Sequence, residues 1–191
     1  LQFKWISMSK KRFFVFDFDS TLTQVEALDV LAEISLANKP AEERNKIVKQ
    51  IQEITDLGID GEISFTDSLR RRIDLLKAHQ NDLSALITLL KGKISKSIER
   101  NKDFFINYAD QIYVISAGFK EFIIPIVADY NITPERVFAN TFEFDKDGNI
   151  VGFDANNHLA QHNGKIACLK AMNLPGEIHV IGDGYSDFVM R

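Results

Sequence analysis

The stretch Arg12-Phe-Phe-Val-Phe-Asp17-Phe-Asp19-Ser-Thr21 joins a short apolar run to an abrupt cluster of polar residues. Such a run predicts a fully buried strand, and the polar cluster predicts a loop at its carboxyl end. Comparable apolar runs recur at 111–116, 136–140 and 177–182, and two of them also end abruptly in small or acidic residues. The repeated pattern predicts an α/β fold with a Rossmann-like parallel sheet and a site at the strand ends.

The segment 23–91 lies between the first two predicted strands and carries helical periodicity with no convincing strand. Helices are predicted over 27–34, from Pro40, from the capping residue Ser64, and from Asn81 to about Leu90. A crossover between parallel strands needs only one helix, so the surplus predicts an inserted helical cap over the strand ends. The predicted domains are an α/β core of residues 1–22 and 92–191 and a cap of residues 23–91. Later in the chain, Asp147-Gly148 between two apolar runs predicts a β-hairpin.

Composition narrows the class of protein. The 191 residues are 45% apolar and 26% charged, with a net charge of −4, as in ordinary globular proteins. The well-mixed charge argues against nucleic acid or a membrane as a partner, so a phosphate site has to be built locally. Cys168 is the only cysteine, which predicts a buried small hydrophobe and a reducing compartment, with the cytoplasm as the default.

Asp17 and Asp19 form the first cluster that indicates chemistry. Alternation along an extended chain would point both carboxylates the same way out of the strand end. Two carboxylates so close repel unless a cation such as Mg²⁺ holds them or one is protonated. One could then attack phosphorus while the other transfers protons. Taken alone, the pair also fits a loop with helix-capping acids.

Three further clusters follow later predicted elements. Ser116-Ala117-Gly118 ends the second strand, where a hydroxyl and backbone N–H groups could hold phosphate oxygens. Lys165 opens a predicted helix and offers an ammonium. In Gly182-Asp183-Gly-Tyr-Ser-Asp187, Asp183 completes a predicted Asp17–Asp19–Asp183 metal site, and Asp187 would hold Lys165 or a metal-bound water. Each cluster alone also fits an ordinary turn, but chance does not readily produce four in order.

These four segments resemble the four motifs of the haloacid-dehalogenase-like (HAD) phosphatases, and the likeness runs from Arg12 to the end of the chain. The resemblance implies that Asp17 forms an aspartyl-phosphate and that Asp19 protonates the leaving oxygen and then activates water. It also implies that Ser116 and Lys165 hold the phosphoryl oxygens, that Asp183 binds Mg²⁺ and that Asp187 supports them.

Within that superfamily, the cap segment is similar to that of the phosphoserine phosphatases. The resemblance implies that Glu26 binds the substrate ammonium, that Phe65 closes over the substrate and that Arg72 pairs with its carboxylate. A glutamate–ammonium pair and an arginine–carboxylate fork suit a zwitterionic amino acid. On residues alone, the favoured interpretation of Arg72 is a surface helix charge in the run 70–72.

Two residues depart from the family pattern. Ala117 replaces the usual second glycine of the phosphate loop, and Ser186 replaces the usual asparagine of the last motif. Neither change removes a catalytic group, but Ser186 weakens or rearranges a contact near the phosphate. The chain stops at Arg191, where the family continues with a further strand and helix, so a longer or fused protein is expected. The sequence leaves the oligomeric state open.

The expected function is therefore Mg²⁺-dependent hydrolysis of a small phosphomonoester, with phosphoserine as the favoured substrate. Three alternatives stay open. The first is the same chemistry on another small phosphomonoester, and the second is a signalling receiver module that holds its aspartyl-phosphate. The third is an inactive fragment.

Overall fold

The strand predicted at Arg12 lies inside a parallel sheet. The computed structural model describes residues 11–190, so the first ten residues and Arg191, which the sequence assigned to the core, lie outside the described residues. The strands, in chain order, are β1 (Arg12–Phe16), β2 (Ile112–Phe119), β3 (Val137–Asn140), β4 (Phe142–Phe144), β5 (Ile150–Phe153) and β6 (Glu177–Ile181).

Four of these strands form one sheet in the order β3-β2-β1-β6, and every neighbouring pair is parallel. The predicted α/β fold with a parallel sheet is confirmed. Because β1 lies between β2 and β6, the loops that follow these three strands meet at one edge. The backbone N–H of Asp17 extends the pairing by donating to the carbonyl of Ile181 at 2.9 Å.

Helices cover both faces of the sheet. In chain order they are α1 (Ala27–Ser35), α2 (Ala41–Ile59), α3 (Phe65–Leu76), α4 (Asp82–Lys91), α5 (Lys96–Arg100), α6 (Lys102–Asn107), α7 (Lys120–Val127), α8 (Gly164–Met172) and α9 (Tyr185–Phe188). Successive side chains of a strand point to opposite faces of the sheet, so each face of the sheet has its own hydrophobic core. Phe16 belongs to the larger core with Phe122 of α7, whereas Val15 packs in a second core with Cys168 of α8. The prediction that Cys168 is a buried hydrophobe is confirmed.

The segment between β1 and β2 is helical, as its periodicity predicts. The hydroxyl of Ser64 caps α3 by accepting the N–H of Asp67 at 3.0 Å. Helix α4 packs against α1 on one side and against α7 of the α/β layer on the other. The division into a core and a separate cap domain stays a prediction.

The hairpin predicted around Asp147-Gly148 forms between β4 and β5, and Gly148 takes the positive φ of 88° that favours glycine at this turn. The hairpin also holds the chain that leaves α3, because Ile150 N donates to Ala78 O at 2.9 Å and Gln80 N donates to Gly148 O at 2.8 Å. Helix α3 is therefore anchored to the α/β layer at its carboxyl end.

The amino end of α3 is anchored as well. The hydroxyl of Thr66 donates to the carbonyl of Ala160, in the loop before α8, at 2.6 Å. These ties fix α3, and with it the side chains of its inner face, relative to the strand ends. Among residues 11–190, no helix has both the length and the apolar character needed to cross a bilayer.

Candidate active site

A buried ammonium links the ends of β1 and β6. Lys165 lies in the first turn of α8, and its Nζ is 2.7 Å from Asp17 Oδ2 and 2.7 Å from Asp187 Oδ1. The three side chains are 10%, 11% and 3% exposed. Charges this deeply buried are maintained when they are paired and hydrogen-bonded, and this group satisfies that condition. The structure therefore brings together three of the residues that the sequence singled out.

A glycine makes room for this pairing. A Cβ atom on Gly182 would lie 2.2 Å from Asp187 Cγ, closer than real atoms approach, so only glycine allows the chain after β6 to pass so near the carboxylate. The backbone N–H of Gly184 then donates to Asp187 Oδ2 at 3.2 Å. This close turn fixes the Asp187 carboxylate against Lys165.

Three carboxylates converge at the same edge. Oxygen atoms of Asp17, Asp183 and Asp187 all lie within 4.8 Å of one another. Hard oxygen donors at this density suit a divalent cation such as Mg²⁺, which binds through a few carboxylates and keeps several waters. The hydroxyl of Thr21 donates to Asp183 Oδ1 at 3.1 Å and orients this exposed carboxylate. The site is consistent with a metal cofactor.

The position of Asp19 differs from the simple alternation argument. The chain turns just beyond Asp17, and within the turn Phe18–Leu22 the backbone of Asp19 is extended (φ −64°, ψ 139°) whereas that of Ser20 is left-handed (φ 53°, ψ 6°). The uninterrupted extended chain of the alternation argument therefore ends at Asp17, although Asp19 itself keeps an extended backbone. The three converging carboxylates include Asp187 and not Asp19. The Oδ1 atom of Asp19 instead accepts the N–H of Ala27 at 2.8 Å. Direct metal ligation by Asp19 stays a prediction.

Both aspartates of the first motif have a raised pKa. Burial raises the pKa of Asp17 to about 6, and the nearby Lys165 ammonium limits that rise while Asp187 adds to it. Burial and the charge of Glu26 raise the pKa of Asp19 well above its usual value. Both environments thus favour the protonated carboxyl more than water does, and at Asp17 the Lys165 ammonium opposes that shift.

The end of β2 lies next to these aspartates. The strand continues to Phe119, beyond the predicted end, and the buried Ser116 hydroxyl accepts the N–H of Gly118 at 2.9 Å. A Cβ on Gly118 would lie 3.2 Å from Asp19 Oδ2, so the absent side chain allows the close approach. The carbonyl of Ala117 accepts a hydrogen bond from the buried Asn140 side chain at 2.8 Å.

The residues predicted to read the substrate lie beside the first loop and on α3. Glu26 is exposed just before α1, and Ser20 Oγ donates to its Oε1 at 2.6 Å. Phe65 begins α3 and packs partly buried against the larger core. Within residues 11–190, the side chains of Phe65 and Ser186 make no hydrogen bond or ion pair with the Asp17–Lys165–Asp187 group.

Arg72 is half-buried on α3 and faces the same loop. Burial lowers the pKa of its guanidinium, and the charges of Asp29, Glu26 and Asp19 oppose that change in decreasing order. Its Nε is buried without a hydrogen-bond partner among the described residues. A buried N–H of this kind is uncommon in folded proteins and favours an anionic ligand.

Four residues with roles at the site were missed or given no role by sequence reasoning: Ser20, Thr21, Asp29 and Asn140. Ser20 and Thr21 lie inside the first motif, but no sequence pattern indicated that their hydroxyls would bond to Glu26 and Asp183. Asn140 carried a usable signal, since a polar side chain that ends an apolar strand needs a partner when buried. Asp29 looks like an ordinary charge in the first turn of α1.

Comparisons with known proteins agree with this geometry. Residues 14–190 match the family model of the haloacid dehalogenase-like hydrolases. The chain is 29% identical over 180 residues to the chloroplastic phosphoserine phosphatase of Arabidopsis thaliana, covering 92% of this chain and 57% of that protein. It is 30% identical over 176 residues to the phosphoserine phosphatase of Drosophila melanogaster, covering 90% of this chain and 62% of that one.

A solved structure gives the same result at the level of the fold. The phosphoserine phosphohydrolase-like protein from Francisella tularensis superposes with a TM-score of 0.77 at 29% identity, over 94% of this chain and 82% of that chain. The chain spans less than two thirds of the plant and fly proteins that it matches. The match to the family nevertheless extends across nearly all of the described residues, and the chain belongs to the haloacid dehalogenase-like hydrolase family.

Proposed function

We propose that this chain is a Mg²⁺-dependent phosphomonoesterase that hydrolyses phosphoserine to serine and phosphate through an aspartyl-phosphate on Asp17. The observation that carries the proposal is the buried Asp17–Lys165–Asp187 group, which meets Asp183 at the strand ends. Phosphoryl transfer needs positioning and charge neutralisation, and this group supplies fixed charges of both signs around one nucleophile.

Asp17 is the proposed nucleophile. Its Oδ1 accepts the N–H of Phe18 at 2.7 Å and its Oδ2 pairs with Lys165, so the carboxylate has one orientation. With a pKa of about 6 it is largely ionised at neutral pH. A carboxylate oxygen attacks phosphorus, the bond from phosphorus to the serine oxygen breaks, and the phosphoryl group is held on Asp17.

Asp19 is the proposed acid and base. Burial and the charge of Glu26 raise its pKa, which favours a protonated carboxyl that can give its proton to the leaving serine oxygen. The resulting carboxylate then takes a proton from water as that water attacks phosphorus. Phosphate leaves, and Asp17 and the protonated Asp19 are both restored.

The remaining charges would hold the phosphoryl group. Lys165 uses two of its three ammonium donors on carboxylates, which leaves one for a phosphoryl oxygen. Ser116 accepts a hydrogen bond through its oxygen and keeps its O–H to donate. Asp17, Asp183 and Asp187 would hold Mg²⁺, which when bound neutralises the negative charge shared by these carboxylates and the phosphate.

The proposed substrate rests on two charges of opposite sign. Glu26 offers a carboxylate to the substrate ammonium, and Arg72 has a buried Nε without a partner in the described part of the chain, which supports binding of a carboxylate. Phe65 would close over the substrate. The names of the plant and fly relatives support phosphoserine, although both proteins are longer than this chain. A cytoplasmic location stays a prediction.

Phosphate release from L-phosphoserine, phosphothreonine, phosphoethanolamine and an aryl phosphate, with and without Mg²⁺, tests the proposal. We expect Mg²⁺-dependent release that favours phosphoserine over phosphoethanolamine, which lacks the carboxylate. Release from the aryl phosphate alone would retain the chemistry and reject the substrate. A long-lived aspartyl-phosphate without turnover would favour the signalling module, and no release by a cooperatively folded chain would favour an inactive fragment.

A further inference from the structure

Ser20 has a backbone conformation that its side chain disfavours. Its φ of 53° and ψ of 6° lie in the left-handed region, which favours glycine. Three of the other four non-glycine residues with positive φ between 11 and 190 are asparagines, which tolerate this region. Strain of this kind persists where surrounding contacts hold it, and it concentrates at functional sites.

Contacts that do not involve the Ser20 side chain shape the loop around it. Thr23 N donates to Phe18 O at 3.0 Å, Thr23 Oγ1 donates to Val25 O at 2.9 Å, and Ala27 N donates to Asp19 Oδ1 at 2.8 Å. These bonds fold the chain back on itself whatever residue occupies position 20. A glycine would satisfy the same turn without strain, so the loop geometry gives no reason for a serine.

The hydroxyl of Ser20 does have a partner. Its Oγ donates to Glu26 Oε1 at 2.6 Å, a short bond of the kind formed with an ionised acceptor. Glu26 occupies the cap position of α1, yet its side chain makes no capping bond to that helix. An exposed glutamate without this bond would sample several rotamers, so the hydroxyl selects one of them.

We infer that Ser20 is a positioning residue, whose hydroxyl fixes the Glu26 carboxylate for recognition of an ammonium group on the substrate. The inference rests on the proposed function and refines it. One Glu26 oxygen is engaged by Ser20, and the other stays available to the substrate. Ser20 acts through Glu26 and does not take part in the bond-making steps.

Two substitutions separate the hydroxyl from the backbone strain. Ser20→Ala removes the hydroxyl and keeps a side chain in the strained region, whereas Ser20→Gly removes both. We expect Ser20→Gly to melt at a higher temperature than Ser20→Ala. Both variants should raise the KM for phosphoserine and phosphoethanolamine by about fivefold, because each loses one hydrogen bond to a charged group. The rise for an aryl phosphate without an ammonium should be much smaller.

A double-mutant cycle isolates the contact. In a Glu26→Gln background, Ser20→Ala should add little to the KM for phosphoserine, because the carboxylate that it positions is already gone. Ser35→Ala is the matched control. Ser35 lies at the carboxyl end of α1, the helix that Glu26 precedes, and its Oγ donates to Leu76 O at 2.6 Å, away from the Ser20 loop. That variant should lose stability without changing the discrimination between substrates.

Selective loss on ammonium substrates, together with a higher melting temperature for Ser20→Gly, would support the inference. Equal KM increases on all substrates, additive effects with Glu26→Gln, or unchanged KM values would overturn it while leaving phosphoserine hydrolysis intact. A wild-type chain without any preference for ammonium-bearing substrates would instead reject the proposed substrate, and the inference with it.

Discussion

Two neighbouring regions of this protein differ in how their buried cationic side chains are paired. At the strand ends, Lys165 is buried and bonded to carboxylates on both sides at 2.7 Å. On the α3 side, Arg72 is also buried in part, but its Nε has no hydrogen-bond partner and no carboxylate of the described chain lies within ion-pair distance of its guanidinium. The fold pairs one cation with two carboxylates and leaves the Nε of the other without a hydrogen-bond partner in the described chain.

Under the proposed function, this difference would separate the residues that carry out the reaction from those that recognise the substrate. The strand-end group is organised before any substrate arrives, which is what electrostatic stabilisation of a transferring phosphoryl group requires. The α3 side keeps unsatisfied hydrogen-bonding capacity, which gives discrimination because a wrong ligand leaves a buried group unpaired. Substitutions in the first region should therefore affect all substrates, and those in the second should affect only some.

The largest expected effect comes from substitution of the proposed nucleophile, Asp17. Asp17→Asn should lower kcat by about 10⁴-fold on every phosphomonoester, because an amide oxygen cannot form the phosphorylated intermediate. Circular dichroism and a cooperative melt should show that the fold remains. Asp103→Asn, at an exposed position on α6, is the control. Substantial turnover by Asp17→Asn would overturn the nucleophile assignment.

Removal of the satisfied cation should disturb folding as well as activity. Lys165→Met leaves Asp17 and Asp187 buried without their counter-charge, and breaking a buried pair in this way costs about 3–5 kcal/mol. Denaturant unfolding would measure the loss. Lys170→Met, on the exposed side of the same helix, should change stability little. Equal stabilities for the two variants would show that the buried group does not support the fold.

Removal of the unsatisfied cation should change specificity instead. Arg72→Ala should lower kcat/KM for phosphoserine by about 100-fold, as expected for loss of a charged hydrogen-bonding partner, and should affect phosphoethanolamine far less. The exposed neighbour Arg71 offers a matched Arg71→Ala control. Equal losses on both substrates would indicate that Arg72 supports the reaction, as the strand-end group is proposed to do, and does not recognise the substrate carboxylate.

The last expected effect concerns pH and metal. The folded pKa of Asp17 is about 6 against 3.8 for the free group. The unfolded chain therefore loses this proton first, and without metal the free energy of unfolding should fall by about 3 kcal/mol as pH rises from about 4 to above 6. Mg²⁺ should recover stability mainly above that range, which melting curves with and without chelator would measure at about pH 5 and pH 8. Asp183→Asn should reduce the Mg²⁺ effect, and an equal metal effect at both pH values would contradict the assignment.

Much of the fold could be predicted because its signals are local. Buried parallel strands carry continuous apolar runs, and β1 and β2 followed that pattern, whereas β6 at the edge of the sheet is exposed to half-buried. The Ser64 cap and the Asp147-Gly148 turn depend on residues a few positions apart, so both were visible in the sequence. The end of β2 was placed too early, because small residues at 116–118 look like a turn although the strand continues to Phe119.

The sequence by itself determined the chemistry available at the strand ends: a carboxylate pair, a hydroxyl, an ammonium and two later carboxylates in order along the chain. Tertiary structure alone decided which of these groups meet. Asp187, on α9 beyond the last strand, joins Asp17 and Asp183 in the carboxylate group to which alternation assigned Asp19. Tertiary structure also brings the Ser20 hydroxyl to Glu26 and leaves the Arg72 Nε without a hydrogen-bond partner within residues 11–190. Such contacts depend on loop closure and on the angles between packed elements, and no local pattern of residues encodes either.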